Sequence, residues 1–244
     1  MSIKRRIGLL SGLLFTGAAS AETIWSNNSF GLLDGDDYEI GDNSKTVFTL
    51  EHASGHSWGD LFVFVHRRHH NNDDKDELYG EFQPNFSIAK LAGMKLPEDG
   101  LIGDVYLATQ WEFGSNFRGG FDNFLYGAGV ALKVPGFRFF KANLYRRNNE
   151  QVDDNHQLTL MWNYPFSIGG AHFAIDGVLD AVDGNDQIAS GYNFAPQFKF
   201  DVGAAAGMAR GQLSIGVKYI YTKNKMGIDG ITERNPNLLI KWRL

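Results

Sequence analysis

The chain reads as an all-β protein, a transmembrane antiparallel β-barrel of about twelve strands that forms a monomeric pore and is preceded by a cleaved signal peptide. Three observations predict this. An export signal at the start is followed by no other helix-like apolar run. About a dozen later segments alternate in side-chain character with period two. The connections between them sort into long polar ones and mostly short Gly-containing ones, as the two ends of an outer-membrane barrel do.

The export signal consists of Lys4, Arg5 and Arg6, an apolar run from Ile7 to Phe15, and the small residues Ala19-Ser20-Ala21. Residues 1–21 are therefore expected to be removed and residues 22–244 to form the barrel. The expected destination is the outer membrane of a Gram-negative cell, where lipid and lipopolysaccharide surround it. No cysteine is present, so neither a disulfide framework nor a thiolate metal site supports the fold. The net charge of -5 argues against a partner that is a nucleic acid polymer, which would call for a basic patch. Mean hydropathy is -0.26, a value that looks soluble because alternation hides the lipid-facing half of each strand.

The first strand is expected over Ile24 to Leu32, followed by the acidic loop that starts at Asp34. Thr46 to Val65 then reads as a hairpin turning at Ala53 to Ser57. In its second half Leu61, Val63 and Val65 share one face, and Asp60, Phe62, Phe64 and His66 the other. Rings mixed with ionisable groups suit the inside of a narrow pore; two core phenylalanines in an ordinary barrel are the alternative. After a polar loop from Arg67 to Glu77, Leu78 to Leu91 alternates, with Pro84 interrupting it. Further strands are expected over Leu101 to Phe113, Asn123 to Val134, Phe137 to Arg146, Gln157 to Phe166, Ala171 to Leu179, Tyr192 to Val202 and Leu213 to Tyr221. The last is LLIKWRL, which ends at Leu244.

Twelve strands leave a thin lumen, between a filled eight-stranded barrel and an open sixteen-stranded porin. Alternation points inward Glu51, Asp60, Phe62, Phe64, Glu81, Tyr106, Glu112 and Lys199, with Gln83, Asp104, Gln110, Lys133, Lys141, Asn143, Tyr145, Asn163, Asp176, Asn193, Asp201, Lys218 and Lys241. Such a lining passes small solutes through weak successive sites, or else forms a network of internal ion pairs. His66, His69 and His70 beside Asp73 and Asp74 have the composition of a metal site, yet a solvated outer loop accounts for them better. No serine lies in a nucleophile elbow and no His-Ser pair stands out by spacing, which leaves a barrel hydrolase unsupported. Neither an enzyme nor a cofactor is expected.

The run TLEHASGHSWGDLFVFV, preceded by a strand with Trp25 and followed by a polar loop, resembles the nucleoside-specific channel-forming family of Tsx-like and OmpK-like outer-membrane proteins. The likeness is closer to the OmpK-like branch and extends through the strand spacing to LLIKWRL. It implies a twelve-stranded barrel whose narrow aromatic and ionisable lumen takes nucleosides, with Glu51, Asp60, Phe62 and Phe64 in the matching motif. OmpK-like members are better regarded as phage receptors, so the resemblance also implies an alternative role as a surface receptor for bacteriophage.

Overall fold

A computed structural model of the chain describes residues 22–73, 75–116 and 119–244; the expected signal peptide, Asp74, Phe117 and Arg118 lie outside these. Twelve strands are present: β1 (Thr23–Gly35), β2 (Lys45–His56), β3 (Gly59–His70), β4 (Asp76–Ser87), β5 (Ile102–Asn116), β6 (Gly119–Leu132), β7 (Phe139–Asn148), β8 (Asn155–Ile168), β9 (Ala171–Val182), β10 (Gly191–Phe200), β11 (Leu213–Lys223) and β12 (Thr232–Arg243). Every strand pairs antiparallel with its sequence neighbour, and β1 pairs with β12 to close the barrel.

Alternation sets the inside and the outside. On β2, Val47 and Thr49 are each 3% exposed, whereas Phe48 and Leu50 are 44% and 61% exposed. The same apolar outer face recurs at Phe82, Leu107, Trp111, Phe124, Leu144, Phe198, Leu238 and Ile240. A continuous belt of this kind is what a strand offers to lipid. The start of β1 and the end of β12 lie at one end of the barrel, where the Leu244 amide donates to the Asn28 carbonyl. That end carries the tight turns at 57–58 and 169–170. Gly59 opens β3 with φ of 153°, and a Cβ there would collide with the Asn85 carbonyl, so this turn requires glycine.

Several expected boundaries are corrected. β4 stops at Ser87, not at Leu91, because the Ser87 hydroxyl accepts from the Lys90 amide at 3.0 Å and caps a one-turn helix, α1 (Ile88–Leu91). β10 likewise stops at Phe200. Asp201 caps α2 (Val202–Ala205) by accepting from the Ala204 amide at 2.9 Å. Beyond the expected end of the strand at Phe113 the ladder continues, with Gly114 paired to Phe121 and Asn116 to Gly119. Strands β3, β4, β7 and β12 run past their apolar stretches, which places Arg68, Arg147 and Glu233, all outside the expected strands, on strands. Pro84 stays within β4. The ladder to β5 skips residues 83–84, and Thr109 Oγ1 donates to the Pro84 carbonyl at 2.6 Å.

Candidate functional site: the barrel lumen

The inward faces of the strands enclose a cavity of about 1680 Å³. Glu51, Asp60, Phe62, Phe64, Glu81, Tyr106, Glu112 and Lys199 all line it. Of the wider inward set, Asp104, Gln110, Asn143 and Tyr145 are buried in the wall and do not reach the open space. Lys133 turns away from the lumen, donating to the Pro97 and Glu98 carbonyls at 2.9 Å in the exposed connection that follows α1.

Alternating residues on β3 make a run of rings. Phe62 and Phe64 have centroids 5.8 Å apart, Phe64 lies 5.7 Å from Tyr79, and Tyr79 lies 6.1 Å from Phe121. His66 continues the row and is held at Nδ1, 2.7 Å from Thr49 Oγ1. The result is a strip of aromatic surface along one wall of the lumen.

Charges around that strip are mostly paired, and several pairs skip a strand. Asp60 on β3 meets Lys141 on β7 at 2.6 Å and also accepts from Asn85 at 3.0 Å. Glu112 accepts from both terminal nitrogens of Arg147, at 2.7 and 3.1 Å, and from Gln110 and Asn123. Glu51 meets Lys241 and accepts from Ser29. Lys199 meets Asp176 at 2.7 Å. Glu81 differs, because its described partners are the neutral donors Tyr79 and Gln83. Tyr106 is covered by Lys141, whose Nζ stands 5.0 Å from the ring centroid. Buried charges must be compensated, and these pairs do so without filling the bore.

One end of the bore is narrowed by a loop. In the acidic connection 36–44, Tyr38 folds inward, is 7% exposed, and donates to Asn237 Oδ1 at 2.7 Å. The ammonium groups of Lys45 and Lys225 flank its ring at 5.3 and 5.5 Å. The same loop is tied to the connection between β3 and β4: Asp42 accepts from the backbone and side chain of Asn72 at 2.6 and 2.7 Å and from the Ser44 amide at 3.0 Å. Partial desolvation works against ionisation of Asp42, but the bonds from Asn72 and Ser44 outweigh it and hold this carboxyl down at about 2.

The three histidines near Asp73 do not come together as a unit. His66 faces the lumen, His69 lies 3.3 Å from Asp76, and His70 lies 3.0 Å from Asp73. Asp42, His70 and Asp73 do approach one another, yet the contacts among and around them are the loop's own hydrogen bonds. A His-Ser pairing that spacing did not suggest is present on β2. His52, Ser54 and His56 form a hydrogen-bonded row, with Ser54 Oγ 2.9 Å from His52 Nε2 and His52 Nδ1 2.8 Å from Asn28 Oδ1. Ser54 is 1% exposed between the two rings, so this row ties β1 to β2 and offers no open nucleophile.

Residues 25–233 match the sequence model of the family described as nucleoside-specific channel-forming protein, Tsx. No curated protein matches the chain. Among solved structures, the NanC porin covers 88% of this chain and 100% of its own at 11% identity and a TM-score of 0.53, a likeness of fold. OccK10 (OpdN) of Pseudomonas aeruginosa covers 90% and 98% at 9% identity, with a TM-score of 0.19.

Proposed function

Since the chain belongs to the nucleoside-specific channel-forming family, Tsx, and is an outer-membrane channel for small solutes, we propose that its lumen binds nucleosides weakly and passes them down their gradient. The observation that carries this reading is the strip of ring surface at Phe62, Phe64 and Tyr79 beside hydrogen-bond acceptors in a bore of about 1680 Å³. A base stacks on Phe62 and Phe64, and ribose hydroxyls donate to the carboxylates nearby. Glu81 is the best placed of these, because Glu51, Asp60 and Glu112 each already hold a cation. Tyr106 and Lys199 contribute to the shape and polarity of the bore. Stacking of about 1–3 kcal/mol per base gives the weak, reversible binding that conduction needs.

Transport of this kind is passive. It needs no cofactor and no catalytic step. Swelling of liposomes that contain the refolded chain tests the proposal: adenosine should enter faster than a disaccharide of similar size, and equal rates would contradict it.

A further inference from the structure

At the barrel end away from Leu244, the apolar belt gives way to a rim of outward polar side chains. Most cations on that rim meet an acid. Arg67 lies 2.6 Å from Asp76, Arg146 lies 3.1 Å from Asp154, and His156 Nδ1 lies 2.9 Å from Asp183. Lys223, the last residue of β11, and Arg234, near the start of β12, differ: both are exposed and neither forms an ion pair with a described residue. The acids of the neighbouring β1 edge are engaged elsewhere. Asp34 faces Leu238, four residues along β12 from Arg234, and accepts from Thr46 at 2.8 Å, while Asp36 accepts from Ser44 at 2.6 Å.

Strand register brings the two cations together on one patch of the outer wall. Across the β11–β12 ladder Lys223 faces Thr232 and Tyr221 faces Arg234, so Lys223 and Arg234 are diagonal neighbours on the same face. Diagonal positions of this kind are within reach of long side chains. On the other side Lys223 faces Tyr192 and Tyr221 faces Phe194. The outward parity is plain from exposure, with Val217 at 40%, Phe194 at 38% and Leu238 at 69%. Tyr192 and Tyr221 stack at 5.5 Å, and the Arg234 guanidinium stands 5.6 Å from the Tyr221 centroid. A guanidinium held by its face against a ring keeps the N–H donors along its edge available to a ligand.

The position of the patch narrows its ligand. Directly toward the middle of the barrel lie Phe194, Tyr219, Val217 and Leu238, all on the lipid-facing side. Paired tyrosines between such a belt and water mark the depth of lipid headgroups, and the charge at that depth that complements two cations is phosphate. We propose that Lys223, Arg234 and the Tyr192–Tyr221 pair form a binding site on the outer wall for the phosphorylated headgroup of lipopolysaccharide. The guanidinium presents a fork of donors to the phosphate oxygens, and the ammonium supplies a second charge. Acyl chains of the same molecule then run down over Phe194, Tyr219 and Leu238. This site is separate from the lumen and independent of what passes through it.

Native mass spectrometry of the refolded chain in neutral detergent micelles tests the proposal, with bisphosphorylated lipid A, the same lipid A stripped of phosphate, phosphatidylglycerol and inorganic phosphate as separate probes. Bisphosphorylated lipid A should half-saturate the barrel at a concentration about tenfold below that of the stripped form, the gain expected of charge-assisted contacts. The double variant Lys223→Gln, Arg234→Gln should lose that advantage, and Lys223→Arg, Arg234→Lys should keep most of it; heat-modifiable mobility on gels checks that each variant has folded. Equal binding of the two lipid A forms, or a tenfold advantage retained by the folded glutamine variant, would overturn the site. Phosphatidylglycerol binding as tightly would make the patch one for anionic lipid in general and overturn lipopolysaccharide as its occupant. Displacement of lipid A by equimolar inorganic phosphate would reduce it to a plain anion site and overturn the lipid assignment.

Discussion

Lys141 Nζ lies 2.6 Å from Asp60 Oδ2, although the two residues sit on β7 and β3 with three strands between them in the barrel wall. The pair is a strut across the lumen. It passes over Tyr106 and leaves both side chains partly open to the bore.

Removing the strut should widen the pore. Lys141→Met takes away one end and leaves Asp60 with Asn85. Single-channel conductance should rise, and the outcome against this account is an unchanged current from a folded barrel.

Phe62→Ala and Phe64→Ala each remove one face of the aromatic strip. With stacking worth about 1–3 kcal/mol, adenosine block should weaken by about five- to 150-fold in either variant. Conductance without nucleoside should be little altered. Unchanged block in both variants would place the binding surface elsewhere.

Tyr38→Phe removes the hydroxyl that anchors the inward loop to Asn237. Loss of a buried hydrogen bond that leaves its partner unsatisfied costs about 1–3 kcal/mol, so the loop should open more often. Faster hydrogen exchange at the Glu39 amide, which is bonded to Glu233, should report this. Equal exchange in the two proteins would mean that ring packing alone holds the loop.

Asp42 gives the contact between the two loops a defined acid limit. Its folded-state pKa of about 2 lies below the ordinary 3.8, so its contribution is present above 3.8 and is lost as pH falls through about 2. The Asn72 amide should therefore remain protected from exchange at pH 4 and lose protection near pH 2. Asp42→Asn should lower that protection already at neutral pH. Loss at pH 4 in the wild type would contradict the assignment.

How much of this was legible in the sequence depends on where lipid imposes its pattern. Leu50, Leu107, Leu144 and Leu238 alternate with inward residues because the bilayer requires an apolar outer face, and all twelve strands could be found from that signal. Beyond the membrane the pattern stops while the strand continues. Arg68, Arg147 and Glu233 therefore looked like loop residues although their strands carry them to the lumen. Ion-pair partners were also hidden, since Asp60 and Lys141 are joined by barrel closure and curvature, not by spacing. Two missed features did leave a trace. Tyr38 and Ile40 are the bulky apolar members of an acidic stretch, and His52, Ser54 and His56 share one strand face by simple alternation.

The central claim is that this barrel conducts small solutes and recognises nucleosides inside its lumen. Its most direct test is the single-channel current of the refolded chain from residue 22 in a planar bilayer, titrated with adenosine, thymidine and a disaccharide of similar size. The account predicts a steady small conductance that the nucleosides block reversibly and the disaccharide does not. A folded barrel that carries no current, or one that all three solutes block alike, would contradict it.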